Sequence, residues 1–284
     1  MPSRSSPSPP RRASVVDVRV AAAQIGSRVG DADGNLAKHH DLAARAAAAG
    51  AQIVCFPELS LCGYPTEGDL PHDLAQTVDG DLATAVAGLA DELGIVVLAG
   101  MLERASSGVL YNTQLISSPG RLETYRKSHV PTGEIGRFRP GNELPVFRLD
   151  DAVIGVQICY DSHFPEATTV QAQAGAEIVF MPHASTGAET REEKRARWLR
   201  YLPARAYDNG IFVLVVNQVD EERNFPAITI AFDPWGAILA EASPSEDLLV
   251  VDFRAAAMAE RRAVAETYFP HFRRPELYGP VADL

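Results

Sequence analysis

The chain has 284 residues, 46% of them hydrophobic and 22% charged, with a formal net charge of -11. That length suits one large α/β domain or two small ones with an ample core, and the acidic balance argues against nucleic acid or an anionic membrane surface as a partner. Three widely spaced cysteines, Cys55, Cys62 and Cys159, argue against a disulfide framework and a structural zinc site and for a reducing cytoplasm.

Residues 1–15 are rich in Ser, Pro and Arg and lack the apolar run of a secretory signal, so a disordered tail is expected. Order begins near Val16. VVDVRVAAAQI reads as a strand, and residues 26–34 as a loop. Asn35 to Ala49 reads as a helix with Asn35 as N-cap and Gly50 as stop. A short buried strand (AQIVCFPE), a helix from Asp81 to Leu93 closed by Gly94, and a strand (IVVLAGML) follow. YNTQLISSPGRLETYRK predicts a hairpin turning at Pro119-Gly120. AVIGVQICYD reads as a strand, Pro165 to Ala174 as a helix, AEIVFMP as a strand and Lys194 to Asn209 as one helix. IFVLVVNQV is a further strand, and ITIAFDPWGAILAEA a hairpin about Pro234-Trp235-Gly236. Alternating helices and strands with interspersed hairpins imply mixed sheets. With no internal repeat or linker in view, residues 16–260 are expected to form a single domain. Residues 261–284, rich in Arg, Pro and aromatics, are expected to form a tail that covers the domain or packs across a subunit interface. No apolar stretch is long enough to span a bilayer.

Cys159 stands at the end of a buried strand, where a cysteine is either a small packed hydrophobe or a nucleophile at a strand-to-helix turn. Two other polar residues share its context: Glu58 ends AQIVCFPE and Lys127 ends LETYRK. Strand ends in α/β proteins converge on one rim, where ligands bind. The chemistries are complementary. A thiol needs a base, which Glu58 offers, and its apolar neighbours are expected to raise its pKa. Lys127 offers positive charge for an oxyanion. Against this stand the ordinary alternatives of a capping glutamate and a solvated lysine.

The motifs FPELSLCGY (Phe56 to Tyr64), YRKSHVP (Tyr125 to Pro131) and CYDSHFPE (Cys159 to Glu166), in this order, resemble the carbon–nitrogen hydrolase, or nitrilase, superfamily. The resemblance extends from about Val18 to Phe253. It implies an α/β fold, a four-layer α-β-β-α sandwich with two mixed sheets, that pairs into homodimers or larger homo-oligomers. It also implies Glu58 as general base, Lys127 as oxyanion stabiliser and Cys159 as nucleophile. A second glutamate, Glu134, is matched by its place before the FRPG segment (Phe138 to Gly141). No metal and no organic cofactor is implied.

Nitrile-cleaving members carry Trp-Glu after the cysteine, whereas Tyr160-Asp161 here points to an amide-type substrate. The short loop from Val130 to Phe138 ranks a simple amidase above an N-carbamoyl hydrolase, with a nitrile hydrolase or a non-catalytic binding member as further alternatives. Tyr64, Tyr160, Phe164 and His183 are the candidate substrate contacts. For His183 the competing reading is a histidine satisfied by loop hydrogen bonds.

Overall fold

The computed structural model describes residues 16–65 and 72–282; the expected tail over residues 1–15 lies outside them. Twelve strands form two sheets of six. In the first, β1 (Val18–Gln24) lies between antiparallel β12 (Asp247–Phe253) and parallel β2 (Ile53–Cys55). The sheet continues through parallel β3 (Val96–Arg104) to antiparallel β4 (Leu110–Ser118) and β5 (Arg121–Arg126). The second sheet repeats this sequence of pairings. Antiparallel β6 (Val146–Arg148) is followed by parallel β7 (Val153–Val156), β8 (Ile178–His183) and β9 (Phe212–Asn217), then antiparallel β10 (Thr229–Phe232) and β11 (Ile238–Glu241). A duplicated plan that left no trace as a sequence repeat is therefore plain in the topology.

Three cores hold four layers together. Ile53, Ile116, Ile154, Phe180, Leu214 and Phe253 fill the space between the sheets. The outer face of the first sheet is covered by α1 (Ala32–Ala48) and α2 (Asp81–Leu93), whose Leu42, Val86 and Leu89 are buried against it. The second is covered by α3 (Pro165–Gln173), α4 (Arg191–Trp198) and α5 (Leu202–Asn209) through Ala172, Trp198, Leu202 and Ala206. Strands buried on both faces read as continuous apolar runs, and β2, β3, β8 and β9 do so. The fold is the expected α-β-β-α sandwich.

Local chemistry explains where the expected elements moved. The N-cap of the first helix is Asp31, whose side chain accepts from the Gly34 amide. Asn35 lies inside the helix, buried, and ties Arg28 and the Leu61 carbonyl to it. The single helix expected from Lys194 to Asn209 is two, because Pro203 in the first turn of α5 cannot continue a preceding helix. The first of the two starts earlier, at a capping box built by Thr190 and Glu193. β6 and β12 were not expected. A sixth helix, α6 (Ala255–Ala263), crosses the expected boundary at residue 260. Its Arg261 is fully buried among the rings of Tyr207, Trp235 and Phe269, so the final segment is anchored on its own domain. Among the described residues no helix is long and apolar enough to cross a membrane.

Candidate active site

The loop after β2 carries Glu58 into the interior under steric control. Leu59, directly after it, adopts a left-handed φ of 50°, an unusual conformation for a branched residue. β3 passes so close that a Cβ on Gly100 would lie 2.2 Å from the Leu59 nitrogen, so only glycine fits there. His39 of α1 braces the loop: its Nε2 is 2.9 Å from the Ser60 hydroxyl, and its ring stacks on Phe56 at 4.0 Å.

The buried Glu58 carboxylate has a partner at each oxygen. Oε1 accepts from Asn112 Nδ2 at 2.7 Å and from Lys127 Nζ at 2.8 Å; Oε2 accepts from the Ala184 amide at 2.7 Å. Gln218 Nε2 holds its backbone carbonyl at 2.7 Å. Lys127, just past the end of β5, also donates to both oxygens of Glu134 at 2.9 Å. Tyr64 closes the array by donating to Glu134 Oε1. One ammonium thus lies between two buried carboxylates.

Cys159 opens a 3₁₀ turn, Cys159–His163, three residues beyond the last position of β7 and directly after Ile158. The expected strand over AVIGVQICYD therefore ends before the cysteine. Its φ is 47°, again left-handed. Asp161 is buried and holds the turn. It accepts from the Ile158 amide (2.9 Å), the Tyr125 hydroxyl (2.8 Å), and the amide and Nδ1 of His129 (2.8 Å each). The Ser162 hydroxyl donates back to the Cys159 carbonyl at 2.6 Å, and Arg205 of α5 clamps the carbonyls of Ser162 and His163. Two strained backbones persist because their surroundings over-determine them, and both border the same polar cluster.

The electrostatics follow from burial and from Lys127. Burial pushes the Glu58 carboxyl up, but the Lys127 charge with its hydrogen bond and the Ala184 amide outweigh it, so its pKa lies below the ordinary value. The expected net upward shift at Glu58 does not occur. At Glu134 burial, joined by the charge on Glu58, prevails over Lys127 and the shift is upward. Burial alone would lower the Lys127 ammonium, yet Glu58, Cys159 and Glu134 raise it above an ordinary lysine. The Cys159 thiol is pushed well above its usual value by burial and then by the negative charge of Glu58. A thiol beside an ionised carboxylate and an ammonium is poised for proton transfer coupled to attack.

The four remaining candidates divide. Tyr64 is a partner of Glu134, with its ring edge on Phe225. Tyr160 and Phe164 meet edge to face at 5.5 Å and line an open groove of about 1120 Å³ beside the cysteine turn. His183 is not on a rim. It is buried, with Nδ1 2.8 Å from the Met181 carbonyl, Nε2 3.4 Å from the Ser162 hydroxyl and its ring against Trp198 at 4.7 Å. It packs behind the turn as a satisfied core histidine. Sequence reasoning missed Asn112, Gln218 and the Ala184 amide, which aim Glu58. Asn112 carried little signal, because its strand also bears the polar residues Thr113, Gln114 and Ser117.

Known proteins share the frame. Residues 19–263 match the carbon-nitrogen hydrolase family. A citrullinase of Francisella tularensis is 31% identical over 94% of this chain and 99% of its own length. The carbon-nitrogen hydrolase of Helicobacter pylori superposes with a TM-score of 0.84 at 22% identity, covering 93% of this chain and 98% of that one, a likeness of fold. An amidase variant from Nesterenkonia, 27% identical with a TM-score of 0.76 over 93% of this chain and 96% of its own, carries the acetamide moiety of fluoroacetamide bound covalently at its active-site cysteine. With one sandwich, three motifs in order and their side chains gathered at a single centre, the chain belongs to the carbon-nitrogen hydrolase family of the nitrilase superfamily.

Proposed function

We propose that this chain hydrolyses the C–N bond of small amides through a thioester on Cys159. Lone reactive residues are common; what supports the reading is that the Cys159 thiol lies within the electrostatic reach of a Glu58 carboxylate already paired with Lys127. In the resting site Glu58 is ionised and the thiol protonated. As Sγ attacks the amide carbon, its proton passes to Glu58, and the carbonyl π electrons move onto oxygen. The Lys127 charge and the Tyr160 amide stabilise that oxyanion. Its collapse breaks the C–N bond, and Glu58 delivers the proton to the departing nitrogen, releasing ammonia or an amine. Water then attacks the thioester, giving a proton to Glu58; the second collapse frees the acid and restores the thiol. Glu134 keeps Lys127 in place and, as the less readily ionised carboxyl, limits the negative charge around the thiol. The scheme calls on no metal or organic cofactor.

The relative that bears a covalent acetamide group on its cysteine supports the cysteine as the nucleophile, and Tyr160-Asp161 supports amides over nitriles. A second reading, N-carbamoyl hydrolysis, is favoured by the 31% identity to a citrullinase. A panel of primary amides, matched nitriles and N-carbamoyl compounds, scored by ammonia release, tests these. The expected order is amide fastest, with Cys159→Ala reduced to background. Equal release by the wild type and the variant would refute the role of Cys159, and faster nitrile turnover would refute the choice of bond.

A further inference from the structure

The cations of α4 are employed in two ways. Arg191 and Arg195 pair with Glu241, and Arg197 pairs with Glu189. Lys194, on the same helix, is fully buried and forms no ion pair with a described carboxylate. Its Nζ donates instead to the Ser185 carbonyl at 2.9 Å, the Ser185 hydroxyl at 3.2 Å and the Thr186 carbonyl at 2.8 Å. Burying a cation against neutral acceptors alone works against folding, so the position of Lys194 is better explained by what it holds.

The segment it holds is the one that serves Glu58. Ala184, directly before Ser185, donates its amide to Glu58 Oε2 at 2.7 Å. The ladder between β8 and β9 ends at the pair His183 and Asn217, so residues 184–187 lie beyond its support. Asn217 grips them from the β9 side. Its Oδ1 accepts from the Ser185 amide at 2.8 Å, and its Nδ2 donates to the carbonyls of Ser185 at 3.3 Å and Pro226 at 2.8 Å. Thr186 is exposed and Gly187 takes a φ of 152°, a conformation that side-chain-bearing residues rarely adopt. Lys194 on one side and Asn217 on the other therefore fix a short surface segment whose first amide reaches the base.

We propose that Lys194 is a positioning residue: by tying residues 185 and 186 to α4 it keeps the Ala184 amide on Glu58 and so holds the base in place for Cys159. The proposal deepens the amidase reading and rests on its assignment of Glu58 as base. The charges and titratable groups acting on Glu58 are Lys127, Glu134, His183 and Cys159; those acting on Lys194 are Arg197, Glu189 and Cys159. Burial and the Arg197 charge push Lys194 down to about 8, so it stays charged across the acid range. Once neutral, the amine keeps two hydrogens for the two carbonyls and accepts from the Ser185 hydroxyl, so the tether also holds on the alkaline side.

Methylthiolation of Cys159 by methyl methanethiosulfonate, located by peptide mass and followed between about pH 3 and pH 7, reads the ionisation of Glu58 without any amide present. In Lys194→Met, which removes the donors, the acid limb is expected to move up by about one pH unit. Lys194→Gln, equally uncharged but able to donate to a carbonyl, is expected to recover part of that shift. Asn217→Ala frees the same segment from β9 and leaves every charge in place. It is expected to move the limb in the same direction, and it keeps the test open if Lys194→Met does not fold. A limb that stays at its wild-type position in Lys194→Met or in Asn217→Ala, equal shifts in Lys194→Met and Lys194→Gln, or a wild-type profile without an acid limb would overturn the proposal. Ammonia release from a primary amide by the wild-type chain, measured in parallel, separates the two claims. Shifted limbs without release would leave the tether standing and remove the amidase reading; release with unmoved limbs would do the reverse.

Discussion

Asn112 and Lys127 share one oxygen of Glu58, and the Ala184 amide takes the other. A hydrogen bond to a buried ionised group contributes about 1.5–3 kcal/mol, and each of these donors favours the carboxylate over the acid. Replacing Asn112 by Ala should therefore raise the Glu58 pKa and let the side chain swing. We expect kcat/KM to fall about ten- to a hundredfold, carried mainly by kcat. The acid limb of the pH–rate profile should also move to higher pH than in the wild type, where it should lie below the ordinary glutamate value of 4.5. An unmoved limb would mean that Asn112 does not set the ionisation of Glu58. At the alkaline side no loss is expected through the usual thiol range, since Cys159 and Lys127 both hold their protons above their ordinary values.

The helix from Asp81 to Leu93 was legible to the residue, because Gly94 closes it in a left-handed conformation that glycine alone adopts freely. Other signals were present and harder to weigh. Asp31 and Asn35 are both capping residues, and only the packing of Asn35 against the loop that carries Glu58 decides between them. Pro203 announces the break between α4 and α5, but a run of good helix formers on both sides masks it. The three motif residues were readable as a set, whereas Asn112, Gln218 and the Ala184 amide gain meaning only when β4, β9 and the end of β8 are brought around Glu58. The sharpest prediction at this scale concerns β3 and the loop it touches. Gly100→Ala places a methyl group 2.2 Å from the Leu59 nitrogen, and backbone cannot yield as a side chain can. We expect a loss of about 3 kcal/mol in denaturant titration together with reduced activity. The exposed Gly88→Ala in α2, where a Cβ meets nothing within 4 Å, should instead be neutral or mildly stabilising. Equal midpoints for the two variants would contradict the close approach.

Glu58 and Lys127 come from the first sheet, and Cys159, Ala184 and Gln218 from the second, so the centre exists only while the two sheets are packed. Stability and activity should consequently be lost together. Two buried histidines set the pH dependence of that packing. Burial pushes His39 and His183 down to about 4 from 6.5, so the folded protein keeps them neutral while the unfolded chain protonates them. The unfolded state then binds more protons between those values, and stability rises with pH across that window. Each group contributes about 1.4 kcal/mol per pH unit within it. Thermal melts from pH 7 to pH 4 should show a falling Tm, with a shallower fall in His39→Gln; a flat profile would contradict the neutral burial of both rings.

Hydrolysis by this site turns on a covalent bond to one sulfur. Rapid quenching of the wild-type chain during turnover of a primary amide, followed by intact-mass and peptide analysis, tests it most directly. The prediction is a mass increase equal to the acyl group of the amide used, located on the peptide containing Cys159 and absent from Cys159→Ala. Turnover of the amide with no acyl group on Cys159, or an adduct on any other residue, would contradict it.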